Sequence, residues 1–394
     1  MMEASVAIQF NPSRGATLGV EWELQLIDRH TRQLRQDAKD VLAAVPDLSE
    51  GQRPKAMHEL MQSQIEIVTD VCHTVAEAVQ DLKKSISRLT EVVGPRDTVL
   101  ACTGTHAISE WRDAVYAPSQ RYAELVEDLQ WLAWRIQTFG VHVHVGVQDR
   151  DKVIPIVNAL AAHLPHFLAL TSSSPFWGGK DTGLASSRAI VFGSLPTAGP
   201  PHLLADWAEF EEYMDTLLRA GTIRSIKEVW WDIRPHPDFG TIEIRMFDGI
   251  PTPREVGMVV ALCQSLVTRL DQQLDRGYTL PHPAAWVVHD NKWRATRYGL
   301  DANVITDDRG STAPMRDLLY ELQRDLEPVA ERLGCAEELA VMTEVLEQGN
   351  SSERQRAILA DGGSLQDVVD ATVIELAEDR FVTSRVEQPG WADR

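Results

Sequence analysis

Three stretches of this chain alternate polar and apolar residues, and each puts two ionisable or metal-coordinating side chains on one face. Residues 16–28 set Leu18, Val20, Trp22, Leu24 and Leu26 against Gly19, Glu21, Glu23 and Gln25. Residues 141–147 carry valine at every odd position, with His142, His144 and Gly146 between them. Residues 240–248 group Thr241, Glu243, Arg245 and Phe247. A period of two marks a strand with one buried face, so Glu21 with Glu23, His142 with His144, and Glu243 with Arg245 are each co-facial pairs. A shorter alternation at 64–68 sets Glu66 opposite Ile65 and Ile67. Helical spacing follows it at Val75, Val79, Leu82, Ile86 and Leu89.

If these strands share a sheet, carboxylates and imidazoles from distant segments converge on one concave surface. Two carboxylates about 4 Å apart repel by roughly 4 kcal/mol at an effective dielectric of 20, so such a cluster calls for a cation or for shifted ionisation. Oxygen donors with some imidazole favour Mg²⁺ or Mn²⁺ over a thiolate-selected metal. Each pair alone has a plainer reading: glutamates on a solvated strand face, a structural histidine pair, or a self-neutralising Glu–Arg pair. Zinc hydrolases also use the His-x-His spacing. The joint occurrence in three apolar-backed strands favours convergence. Arg188, in Leu184-Ala-Ser-Ser-Arg188, and Arg234, just before Pro235, are the forked donors expected to meet an anionic substrate beside the metal, although a loop arginine is often merely solvated.

Strands occupy the first two thirds and helices dominate the rest, which implies an α+β fold with an antiparallel or mixed sheet covered on one face. Helical spacing runs through Tyr122, Leu125, Leu129 and Ile136 to a stop near Gly140, over about 152–170, over 207–218, and through most of the chain beyond Pro253. Residues 171–201 are Ser/Gly/Pro-rich, too polar and broken for regular structure throughout, and such loops are often functional. One domain over 1–394 is expected, with 16–253 as its sheet and motif-bearing core and 254–394 as its mainly helical part. The 38 Lys and Arg against 58 Asp and Glu leave a net charge of −20, which argues against a nucleic-acid grip. Residues 1–9 lack a basic leader region and no uncharged run reaches roughly 18 residues, so a cytoplasmic protein without a membrane partner is expected. Cys72, Cys102, Cys263 and Cys335 form no C-x-x-C pair and read as buried, reduced thiols. Eleven tryptophans leave room for a homodimer interface.

The motifs Gly19-Val-Glu-Trp-Glu-Leu24, Gly140-Val-His-Val-His-Val-Gly146, Ser174-Pro-Phe-Trp177, Asp181-Thr-Gly-Leu-Ala-Ser-Ser-Arg188, Asp232-Ile-Arg-Pro235 and Gly240-Thr-Ile-Glu-Ile-Arg-Met-Phe-Asp248 resemble the glutamate–cysteine ligase type 2 family of carboxylate–amine ligases. The likeness covers most of the chain. It is strongest over 16–253, with a further match at Lys292-Trp-Arg-Ala-Thr-Arg-Tyr-Gly-Leu300. It implies a glutamine synthetase-like fold, a curved antiparallel sheet with helices on its outer face, holding ATP with Mg²⁺ or Mn²⁺ on the inner one. It implies a reaction in which ATP phosphorylates a carboxylate, usually the γ-carboxyl of L-glutamate, and an amine such as that of L-cysteine displaces phosphate. It makes Glu21, Glu23, Glu66, His142 and Glu243 metal ligands, places His144 near nucleotide, and gives Arg188, Arg234 and Arg245 to phosphate or substrate carboxylate.

Phosphoryl transfer asks mainly for alignment and charge stabilisation, so the lack of a Ser-His-Asp or Cys-His constellation agrees with that chemistry. No Walker-type phosphate loop is present, since Gly178-Gly179-Lys180 lacks the hydroxyl residue and the spacing. The acyl phosphate needs shielding from water, and 171–201 is the expected lid. Two other classes stay open at the level of sequence: a metal-dependent amide or ester hydrolase built on His142 and His144, and a non-catalytic nucleotide or divalent-cation binding protein.

Overall fold

All four alternating segments become strands of one sheet. In the computed structural model, which describes residues 8–45 and 55–386, the strands are β1 (Leu18–Asp28), β2 (Ala56–His58), β3 (Gln64–Val68), β4 (Thr98–Ala101) and β5 (Gly140–Gly146). After a two-stranded hairpin of β6 (Phe176–Trp177) and β7 (Lys180–Asp181) come β8 (Ile233–His236) and β9 (Thr241–Asp248). The sheet order is β2-β3-β1-β5-β9-β8, with β4 also paired to β1, and every pairing is antiparallel. The segment 1–9, read above for a leader, lies mostly outside the described residues.

The apolar face of the sheet supplies Val20, Trp22, Leu24, Ile65, Ile67, Val141, Val143, Val145, Ile242 and Ile244 to one core cluster that also takes in apolar residues of 256–346, whereas Ile358, Val368, Val369, Val373 and Ile374 join a second cluster with Ala101 and Phe139. Against that face pack α2 (Val75–Val93), α4 (Arg150–Leu160), α5 (Leu164–Thr171) and α8 (Pro253–Asp275), following α1 (Ala38–Ala44) and α3 (Gln120–Leu129) in the chain order. Local signals fix several starts. Thr74 and Glu77 form a capping box on α2, and Thr252 caps α8 with Pro253 at its first turn. The shorter α6 (Ser187–Gly193) and α7 (Trp207–Arg219) precede α8. Beyond it lie α9 (Ala285–Tyr298), a hairpin of β10 (Asn303–Ile305) with β11 (Thr312–Pro314), and α10 (Met315–Leu333), α11 (Ala336–Gln348), α12 (Ser351–Ala360) and α13 (Leu365–Glu378). Buried Arg354 on α12 pins this part to the sheet half, reaching Glu255 of α8 at 3.0 Å and Glu375 of α13 at 2.7 Å.

Four details depart from the sequence expectations. The helix expected to run to Ile136 ends at Leu129, where Gln130 takes a positive φ of 47°. The helix expected over 152–170 is broken by a 3₁₀ turn at Ala161–His163, just ahead of Pro165. As one helical run, Arg150–Thr171 has the length and apolarity to cross a membrane, and it is largely buried in the core. Phe247 does not share the polar face. Val141 pairs with Phe247 but Val143 with Ile244, so a bulge spends one extra residue of β9 and turns Phe247 into the core, edge-on to Phe167 at 5.4 Å. Finally, residues 171–201 are not loose throughout. Ser172, Ser173, Ser174, Ser186, Ser187 and Arg188 are all buried, and α12 donates to their backbone from Ser352 and Gln355. The four cysteines are buried and unpaired, as expected.

Candidate active site

Register alone brings the predicted residues together. Glu21 stands opposite His142, Glu23 opposite Glu66, His144 opposite Glu243, and Glu243 opposite Arg234. Directly opposed residues share a face, so the polar side of β3, β1, β5, β9 and β8 is one continuous surface.

On it the carboxylates and imidazoles separate into two groups. Ligand atoms of Glu21, His142 and Glu243 all lie within 4.8 Å of one another, and so do those of Glu23, Glu59 and Glu66. Glu59, just past β2, is the residue that sequence reasoning missed. It sits in no alternating repeat, and only its place beside the β2–β3 turn brings it to Glu23 and Glu66. The donor set is oxygen with a single imidazole and no thiolate, which suits a hard divalent cation.

The two groups differ in charge state. Burial alone would raise Glu21, yet hydrogen bonds from His142 and His144 hold it well below the ordinary carboxylate value. Likewise burial opposes Glu243, but the Arg234 and Arg245 guanidiniums keep it strongly depressed. The Arg234 fork spans the carboxylate at 2.6 and 3.4 Å, and Arg245 Nη1 lies at 3.0 Å. In the second group no carboxylate is ion-paired among the described residues, and the charges of Arg188, Arg245 and Arg121 offset the repulsion only in part. Burial and the neighbouring Glu59 charge push Glu23 up to about 8, burial raises Glu59, and burial with the charges of Glu59, Glu21 and Glu23 raises Glu66 well above normal. Mutual repulsion of this kind is what a bound cation relieves.

His142 Nδ1 contacts Glu21 Oε2 at 2.9 Å; burial, then the Arg245 charge, lowers its pKa. His144 is turned elsewhere: Nδ1 meets Thr241 Oγ1 at 3.0 Å, and Nε2 approaches Glu21 Oε1 at 3.4 Å. Burial works against its protonation, but the Glu21 hydrogen bond and the Glu243 charge raise it. His144 therefore orients Glu21 rather than completing either ligand group.

A cavity of about 220 Å³ opens over this surface. Its floor includes Glu23, Glu59, His142, Arg188 and Arg245, and its far wall is Tyr122, Leu125 and Leu129 of α3 with Phe192, Leu195 and Trp230. Arg188 hydrogen-bonds the Met246 carbonyl at 3.3 Å and the Arg245 carbonyl at 3.5 Å. The Nε groups of Arg188 and Arg245 are buried donors without a protein acceptor. Arg234 is fully engaged, since it also donates to the Lys227 and Val229 carbonyls, and it does not line the cavity. Its role is to hold Glu243. The guanidinium of Arg188 lies against Gly140, where a Cβ would collide with it, so any side chain at the start of β5 would displace Arg188. Gly140 N–H also donates to Glu23 Oε2 at 2.6 Å.

Known proteins resemble this chain in sequence and in fold. A model of glutamate–cysteine ligase family 2 matches residues 17–371. A Thermobifida fusca protein, provisionally named glutamate–cysteine ligase 2, is 68% identical over 371 residues, covering 94% of this chain and 93% of that protein. A Frankia alni protein with a similarly provisional name is 52% identical over 380 residues, covering 96% and 99%. The fold is shared with the Francisella tularensis glutamate–cysteine ligase solved in complex with AMP, at TM-score 0.69 and 12% identity over 98% of both chains. It is shared too with a bifunctional glutathione synthetase from Pasteurella multocida, at TM-score 0.64 and 14% identity over 92% of this chain and 52% of that one. The chain belongs to glutamate–cysteine ligase family 2, and is an enzyme that joins a carboxylate to an amine.

Proposed function

We propose that the enzyme uses ATP to phosphorylate a small carboxylic acid, L-glutamate at its γ-carboxyl, and that the amine of L-cysteine then displaces phosphate to give the amide. The observation that carries this reading is the pair of three-ligand groups on one sheet face, with Glu23, Glu59 and His142 of those groups and two buried arginines with free Nε donors lining one cavity. Glu21, His142 and Glu243 would hold one Mg²⁺ or Mn²⁺ and Glu23, Glu59 and Glu66 another, where such ions supply charge neutralisation to polyphosphate oxygens.

The chain's own groups do the rest. Arg188 and Arg245 offer forked donors that cannot lose their charge, aimed at phosphoryl or carboxylate oxygens whose charge builds during transfer. Arg234 keeps Glu243 ionised and oriented. His144, fixed by Thr241, orients Glu21. Covering the cavity against water falls to α3 together with Phe192 and Leu195 of the 171–201 segment, which line the same wall. None of the ten residues of α3 is buried, and its apolar edge of Tyr122, Leu125 and Leu129 lies over the cavity. Two contacts tether it: Tyr122 Oη donates to the His58 carbonyl at 3.1 Å, and Asp128 pairs with Arg224 at 2.6 Å.

A hydrolase built on His142 and His144 has less support, because His144 stands outside both ligand groups. The deciding experiment is ADP release measured over pairs of amino acids, with products weighed by mass spectrometry. The reading requires ADP formation that depends on L-glutamate together with an amine, and a product lighter by one water than the two substrates combined. Hydrolysis of an amide or ester without ATP would replace it with the hydrolase.

A further inference from the structure

Helix α9 belongs to the C-terminal part of the chain, yet it is bonded to both arginine-bearing segments of the site. Lys292 Nζ lies 2.8 and 2.7 Å from the two carboxylate oxygens of Asp232. Both side chains are largely buried, at 13% and 5% exposure. Asp232 stands two residues before Arg234, and its backbone carbonyl accepts the N–H of Arg245 at 2.9 Å. One turn along α9, the Thr296 carbonyl accepts the N–H groups of Ala185 and Ser186 at 2.9 and 3.1 Å. Ser186 in turn caps α6, the helix that carries Arg188. Arg188 closes the loop by donating to the Arg245 and Met246 carbonyls.

A carboxylate buried this deeply is costly unless it is paired and hydrogen-bonded, so Lys292 decides where Asp232 can sit. Through the Asp232 carbonyl that decision reaches the bulge of β9 at Arg245. Lys292 itself does not line the cavity, so it acts on the site only through Asp232. The motif from Lys292 to Leu300 thereby acquires a role that no ligand group explains.

We propose that Lys292 is a positioning residue: its ion pair with Asp232, together with the Thr296 carbonyl, sets the places of Arg245 and Arg188, and so the anion affinity of the site. The proposal rests on the ligase reading above, but its main test does not need turnover. Binding of ADP with Mg²⁺ is titrated calorimetrically on folded protein, for which unfolded material lowers the stoichiometry and leaves Kd unchanged. Lys292→Met should weaken ADP binding about 10–100-fold, the usual loss when a supporting partner is removed from such a site. Lys292→Arg, which keeps a charged donor for Asp232, should return Kd to within about 3-fold of the parent.

Equal Kd in Lys292→Met and parent overturns the proposal, as does a Lys292→Arg variant as weak as Lys292→Met. If Lys292→Met does not fold, the double variant Lys292→Met/Asp232→Asn removes both buried charges. A folded double variant with weak ADP binding supports the proposal, and one with parental binding overturns it. Failure of the ligase reading would appear separately, as parent protein that binds ADP with Mg²⁺ but releases none from ATP with any amino-acid pair.

Discussion

Glu243 is gripped by two guanidiniums while Glu59 has no ion-pair partner among the described residues and stands beside Glu23 and Glu66, and the two residues should answer neutralisation in opposite ways. Glu243→Gln strips the counter-charge from buried Arg234 and Arg245. It should cost about 3 kcal/mol of stability in urea unfolding and lower ADP release by at least about 100-fold. Glu59→Gln removes one repelling charge from a cluster without a cation, so the metal-free protein should melt at a higher temperature than the parent. The rise in melting temperature that Mg²⁺ gives the parent should shrink, because a ligand is lost. A lower melting temperature for metal-free Glu59→Gln would contradict the electrostatic account. Residues at this scale were legible where they sat on a repeat: period two puts Glu21 with Glu23, His142 with His144 and Glu243 with Arg245 on one face, while the role of Glu66 came with the family resemblance. Glu59 follows from neither, and the turning of His144 towards Thr241 depends on a side-chain rotamer rather than on register.

At the scale of elements, the strands were legible because alternation survives any tertiary context that buries one face. What the sequence did not disclose was the bulge in β9 and the fate of residues 171–201. A bulge is set by the partner strand, and the serines read as loop because their hydroxyls satisfy buried Asp248 instead of water. Ser174 Oγ and Ser186 Oγ donate to that carboxylate at 2.6 and 2.7 Å, and the Ser173 N–H at 2.9 Å. The mobile element should therefore be α3. Hydrogen–deuterium exchange should show fast exchange over 120–129 in the free enzyme and slowed exchange with ADP, Mg²⁺ and glutamate present, while residues 172–174 and 186–188 stay protected throughout. Slow exchange in α3 without ligand, or fast exchange in the serine segment, would reverse the assignment.

Across the whole molecule, the sheet packs with α8 to α11 in one core and with α12 and α13 mainly in a second, and burial on that scale traps groups away from protons. Burial pushes His106 and His163 down to about 3 and His166 to about 4. A histidine depressed in the fold binds its proton only on unfolding. Its contribution is complete above its ordinary value near 6.5, and is lost as the pH falls from there towards the folded value. His106 Nδ1 accepts the Ser109 N–H at 3.0 Å, an acceptor that asparagine can replace. His106→Asn should be less stable than the parent at pH 8, and the gap should narrow by about 1 kcal/mol per pH unit below 6.5 in urea unfolding. A gap independent of pH would show that His106 titrates alike in both states.

On the proposed reading, one polar sheet face holds two separate cation positions. Anomalous scattering from crystals grown with Mn²⁺ and ADP tests it most directly. Two peaks are expected, one among Glu21, His142 and Glu243 and one among Glu23, Glu59 and Glu66. Mn²⁺ bound away from this face, or a single ion ligated by His142 and His144 together, would contradict it.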